Sequence, residues 1–194
     1  MIVLFGPAGS GKSEQGQRIA KKYGWRWLSV GQLLRDQNDA KINADLKTGD
    51  LFDDEFVTRL MQNAMYKAEA DGVEVILDGY PRNAVQAEWL VNNGDVGMID
   101  GAIVLDVPAE ELWKRIEARG RTDDERGVVE KRWEIFEQNI CSILPLLEKK
   151  NVKITTIDGV GEIEEILKEW GVLDTARATH AGLVKGDEEK SYGE

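Results

Sequence analysis

The sequence predicts an α/β protein, a three-layer sandwich in which helices cover both faces of a mostly parallel sheet. Three observations predict it. Short β-branched runs alternate with helical patterns along the chain, and each run ends in a Gly, Asp or Pro breaker. The runs are also short and mostly β-branched or apolar, the composition of strands in a covered parallel sheet. A length of 194 residues allows one sizeable core.

The elements follow in order. Ile2-Val3-Leu4-Phe5 reads as the first strand, followed by a glycine-rich turn and a helix over Lys12–Tyr23. Trp25 to Val30 is a weaker strand candidate, completing a count of five, and leads into a helix over Gly31–Gln37. A helix over Asp53–Ala70 opens with Asp53-Asp54-Glu55, the sign of charge that the positive end of a helix dipole favours. Then come a strand from Val73 to Leu77, a helix over Ala84–Asn92, a strand from Ala102 to Leu105 and a helix over Ala109–Arg119. Asp124–Lys150 reads as one long helix that Pro145 should kink or terminate. A strand from Val152 to Ile157 and a helix over Glu162–Trp170 complete the pattern. Residues 173–194 are polar and rich in small residues, and read as a C-terminal tail.

Composition narrows the function. A formal net charge of −11 argues against general binding to nucleic acid or anionic membrane, both of which need a positive footprint. The apolar run Ile2 to Phe5 is too short for a signal peptide or a membrane span. One cysteine, Cys141, cannot form an internal disulfide and fits a reducing compartment, so a cytoplasmic location is expected. The only histidine, His180, lies in the tail and is not expected to be catalytic. The six tryptophans, Trp133 among them, read as packing residues rather than base-stacking platforms.

The strongest motif is Gly6-Pro7-Ala8-Gly9-Ser10-Gly11-Lys12-Ser13, which fits G-x-x-x-x-G-K-[ST] and stands between the first strand and the first helix. Glycines there let successive backbone N–H groups turn inward around a phosphate, and the helix start adds its positive dipole end. Lys12 would reach the β- and γ-phosphates, and Ser13 could ligate magnesium. Such a loop implies nucleoside triphosphate binding without naming the reaction. Further on, the run Val73 to Leu77 leads into Asp78-Gly79-Tyr80-Pro81-Arg82. An acid at that strand end can orient magnesium through its waters. Arg82, from the same strand end, can clamp phosphate bidentately.

With Ser29-Val30-Gly31-Gln32-Leu33-Leu34-Arg35, Asp106-Val107-Pro108, Gly120-Arg121-Thr122-Asp123-Asp124 and Lys131-Arg132, the chain resembles the adenylate kinase and UMP/CMP kinase family, in the family's motif order. The resemblance implies a phosphate-loop NTPase fold over residues 1–172 with a small helical monophosphate-binding insertion at about 29–58. It also implies an abbreviated lid at about 119–126, since one glycine separates Arg119 from Arg121, and no zinc-binding lid. On the ATP side it places Gly9, Ser10, Gly11, Lys12, Ser13, Glu14, Arg119 and Gly161, with Arg119 near the adenine. On the acceptor side it places Val30, Arg35, Asp50, Leu51, Phe52, Gly79, Tyr80, Pro81, Arg82 and Gln86. Arg121 and Arg132 would contact phosphates during transfer, catalytic together with Lys12 and Arg82. Ser13 and Asp78 would hold Mg²⁺, mostly through water.

The implied reaction is transfer of the terminal phosphoryl group of ATP to AMP by a monomeric enzyme. Gln86 matches the adenine-binding glutamine of adenylate kinases, whereas Val30, Asn83 and Trp89 lean toward UMP/CMP kinases, so UMP or CMP as acceptor, or a broad monophosphate specificity, stays open. A nucleotide sensor without turnover is the remaining alternative. Glu14, where the family usually has Thr, is expected to turn its carboxylate away from the phosphates.

Overall fold

Alternate residues of the first strand point to opposite faces of the sheet, and each face meets its own apolar layer. In the computed structural model, which describes residues 1–93, 98–120, 124–158 and 163–169, this strand is β1 (Ile2–Phe5). Ile2 and Leu4 pack with Ile19 and Ala20 of α1 (Lys12–Tyr23) and with Ile163 and Leu167 of a late helix. Val3 and Phe5 pack on the other face with Met61 and Met65 and with Ile143 and Leu147. These side chains are all buried, and each one larger than Ala20 contributes roughly 1.5–3 kcal/mol relative to exposure.

Thirteen elements follow one another in the described residues. After α1 come β2 (Arg26–Ser29), α2 (Val30–Asp36), α3 (Ala40–Leu46), α4 (Asp54–Ala70), β3 (Val75–Asp78), α5 (Ala84–Asn92), β4 (Gly101–Asp106), α6 (Ala109–Arg119), α7 (Arg126–Lys149), β5 (Lys153–Asp158) and α8 (Ile163–Glu169). The strands form one sheet in the order β2-β3-β1-β4-β5, and every pairing is parallel. β1 is central: Leu4 stands opposite Asp78 of β3 and opposite Ile103 of β4. The chain winds outward from β1 in one direction to β2 and β3 and then crosses to β4 and β5. A crevice for a ligand opens at the carboxyl ends of the strands where that order reverses.

Two expectations need correction. A helix not foreseen, α3, fills the segment after α2; the Asp39 side chain caps it by accepting from Lys41 N at 2.8 Å and Ile42 N at 2.9 Å. Pro145 does not end the long helix, since α7 runs through it to Lys149. Pro145 stands on the exposed side of α7 while its neighbours Ile143 and Leu147 anchor the helix in the core, and that burial outweighs one lost backbone bond. The stretch 29–58 holds α2, α3 and the start of α4. The tail at 173–194, and residues 121–123 of the expected lid, lie outside the described residues.

Candidate active site

β1 delivers the chain into the glycine-rich loop at the middle of the sheet. Gly9 adopts φ +90°, and a Cβ there would lie 3.0 Å from both Ile116 Cγ1 and the Leu112 carbonyl oxygen of α6, so the loop can back onto α6 only with glycine. α1 then starts from Gly11 with no side-chain cap on its first amides, which leaves them for an anionic ligand. Lys12 folds back on the loop, donating from Nζ to the carbonyls of Gly6 (2.5 Å) and Pro7 (2.8 Å) and to Ser10 Oγ (3.1 Å). Burial brings its pKa down to about 8, against the pull of Asp78 and with further lowering from Arg82 and Arg119. At the end of β3 the buried Asp78 carboxylate accepts the Ser13 hydroxyl proton at 2.6 Å.

The guanidinium groups come from four separate segments. Arg82 leaves the β3 end with its Nε donating to the Gly79 carbonyl at 2.8 Å. Burial lowers its pKa, Asp78 opposes that, and Arg132 and Arg35 lower it further, as cations gathered in one place must. Arg35 comes from α2. Arg132, from α7, donates to the Leu46 carbonyl at 2.8 Å. Arg119, at the end of α6, is gripped bidentately by the buried Asp124 carboxylate at 2.6 Å and 2.6 Å, while Arg132 stands 3.8 Å from the same carboxylate. All four arginines and Lys12 line one cavity of about 960 Å³.

The same cavity is walled by Gly9, Ser10, Gly11, Ser13 and Glu14 on one side and by Asp50, Leu51, Phe52, Asp78 and Gly79 on the other. Glu14 is exposed at its edge. The second of these walls is tied to α7: Asp50 accepts from Lys131 at 2.6 Å, which holds its carboxyl below the usual range. Gly49 (φ +76°) approaches so closely that a Cβ would lie 3.0 Å from the Val128 carbonyl oxygen.

Four expected residues stand behind the cavity wall. Val30 belongs to the core cluster, and Tyr80 and Pro81 are buried, Tyr80 with its hydroxyl 3.2 Å from Thr58 Oγ1. Gln86 is 1% exposed; its Nε2 donates to Asp54 Oδ1 at 2.8 Å, and its Oε1 accepts from the Arg82 backbone N–H at 2.8 Å. Arg121 and Gly161 lie outside the described residues.

Sequence reasoning missed Arg115, which lines the cavity and donates to the Ser10 carbonyl at 3.3 Å. Its position one helical turn before Arg119 was the available signal. Asp54 and Asp124, which orient Gln86 and Arg119, stood in the sequence as a helix-start acid and a motif residue, and neither setting marks the partner each one holds.

A mononucleotide-binding sheet carrying a lysine-bearing phosphate loop, faced by converging arginines, defines a nucleotide phosphotransferase of the monophosphate kinase class. The sequence model described as "Adenylate kinase" matches residues 4–152. A protein named adenylate kinase from Maricaulis maris (strain MCS10) is 34% identical over 179 residues, covering 85% of this chain and 93% of that relative. One from Xanthomonas campestris pv. campestris (strain B100) is 34% identical over 183 residues, covering 88% and 96%. Another from Mycolicibacterium vanbaalenii is 33% identical over 174 residues, covering 85% and 93%. The chain belongs to the adenylate kinase family. No helix among the described residues is long and apolar enough to cross a membrane.

Proposed function

We propose that this chain catalyses reversible transfer of the terminal phosphoryl group of ATP to AMP, giving two molecules of ADP, as a cytoplasmic monomer. The observation that carries the reading is the meeting of Lys12, Arg35, Arg82 and Arg132 around one cavity. Two phosphorylated nucleotides brought face to face repel each other, and a pocket able to hold both must supply several fixed cations. Few other reactions call for so many.

The roles follow from position. Loop amides from Gly9 to Glu14 would cradle the ATP phosphates, and Lys12 would leave its backbone carbonyls for them. Arg35 and Arg82 would take the acceptor side and bind the AMP α-phosphate, with Leu51 and Phe52 offering apolar contact to the base. Arg132, from the α7 side, would steady charge on the transferring group, a role the family resemblance also gives Arg121. The attacking group is already an anionic phosphate oxygen, so no general base is needed. The ties from residues 46–50 to α7 support exclusion of water from the cavity.

Family members use ATP with magnesium, and Ser13 and Asp78 fit such an ion: a hydroxyl and a carboxylate are hard oxygen donors, adjacent on the cavity wall. The remainder of its shell would come from water and substrate phosphates. Bound there, Mg²⁺ would neutralise charge on the β- and γ-phosphates.

A coupled assay of ADP production with AMP, CMP and UMP in turn tests the proposal by comparing kcat/KM. AMP is expected to lead. Preference for CMP or UMP would replace the acceptor assignment, and ATP binding without transfer to any acceptor would replace the enzyme by a sensor.

A further inference from the structure

The glycine-rich loop is held from two directions. α6 supports it from behind through Leu112 and Ile116 at Gly9. From α7, the indole Nε1 of Trp133 donates a hydrogen bond to the Ala8 carbonyl at 2.9 Å, linking positions 125 residues apart. Trp133 immediately follows Arg132, so the same turn of α7 supplies a cavity cation and a tie to the loop.

The geometry of a peptide group gives that tie a consequence. In a trans peptide the C=O and the following N–H point in opposite directions. Turning the Ala8 oxygen toward Trp133 therefore turns the Gly9 N–H away from it. Ala8 and Gly9 both line the cavity, and Gly9 opens the stretch expected to wrap phosphate. A glycine-flanked peptide is otherwise free to rotate, because Gly tolerates either sign of φ. The tie is itself braced: Trp113 of α6 meets the Trp133 ring at 4.8 Å between centroids with a 55° tilt. The Arg126 guanidinium lies 5.2 Å over the Trp113 ring.

We propose that Trp133 is a positioning residue that fixes the Ala8–Gly9 peptide in its phosphate-receiving orientation through its indole N–H. The inference rests on the phosphate-loop part of the functional reading and is independent of the acceptor. It explains why an amphipathic aromatic with a donor stands at a position where packing alone would accept leucine or phenylalanine. Pre-orienting one amide before binding removes an ordering cost from the bound state, so its loss appears in affinity for triphosphate rather than in the rate of transfer.

The test compares Trp133→Phe, which keeps the ring and loses the donor, with Trp113→Phe, which keeps the donor and disturbs its packing. Affinity for inorganic tripolyphosphate and for ATP is measured by calorimetry with no acceptor present, so a chain unable to phosphorylate AMP still decides the matter. Trp133→Phe is expected to weaken both ligands roughly three- to tenfold, the range of one net hydrogen bond, with Trp113→Phe close to the parent. Unchanged affinity in Trp133→Phe, or equal weakening in both variants, overturns the proposal. Should Trp133→Phe fail to fold, the parent protein decides by exchange of the Trp133 indole proton. Strong protection with and without ATP is expected, and exchange as fast as free indole overturns it.

Discussion

Gln86 donates its side-chain amide to Asp54 at 2.8 Å, joining the first residue of α4 to the first turn of α5. The same Asp54 oxygen accepts from Asn83 Nδ2 at 2.7 Å, and Gln86 returns its own oxygen to the Arg82 backbone N–H. A carboxylate that can only accept thus dictates which way the Gln86 amide faces, and Arg82 is held within the same network. Asp54→Ala is expected to destabilise the fold by about 1–3 kcal/mol, because the buried Gln86 amide loses its acceptor. It should also raise KM for AMP more than KM for ATP. Denaturant unfolding and steady-state kinetics check both, and equal changes in the two KM values would show that the network from Asp54 to Arg82 does not reach the acceptor.

Lys12 predicts a pH dependence for ATP binding. Its pKa of about 8 in the free protein arises mainly from burial, with nearby cations adding to it. Phosphates placed beside the ammonium favour its charged form, so the bound pKa is higher than the free one. Affinity is then full below pH 8 and falls as pH rises through 8, with proton uptake on binding above that point. Calorimetry in buffers of different ionisation enthalpy measures the uptake; none at alkaline pH would place Lys12 outside the phosphate site.

Glu164 predicts an acid dependence of the fold. Its carboxylate accepts from Lys22 at 2.7 Å and Tyr23 at 2.8 Å and pairs with Lys168 at 3.0 Å, fixing α8 to α1. Hydrogen bonding by Lys22, then Lys168 and Tyr23, holds its pKa down at about 2, against an ordinary 4.5. A depressed carboxyl stabilises above its unfolded pKa and loses that contribution as pH falls through the folded one. The stability gap between the parent and Glu164→Gln should therefore be constant above pH 4.5 and close between 4.5 and 2. Urea unfolding across that window measures it, and a gap independent of pH would refute the assignment.

Much of this arrangement is legible in the sequence, and the reason differs by element. β1, the glycine loop and α1 are readable because strand, turn and helix signals coincide with a motif whose physics demands all three. α3 escaped because its seven residues put only Ile42 and Leu46 against the core, too short a pattern to stand out, and only Asp39 before Ala40 announced it. Lys12, Arg35, Arg82, Arg119 and Arg132 were readable as motif residues, whereas Arg115 was not. Their restraints were not: the bond from Gln86 to Asp54 spans 32 residues and that from Trp133 to Ala8 spans 125, and no local pattern encodes a partner so far away.

The central place of β1 bears on how the chain is made. Ile2 must find Ile76 on one side and Gly101 on the other, so β1 cannot be fully paired until the chain as far as β4 has come together. Until then a wholly apolar strand has two open edges, the condition that invites association with other chains. Loop closure over such separations is slow, and folding speed should be governed by this step rather than by helix formation.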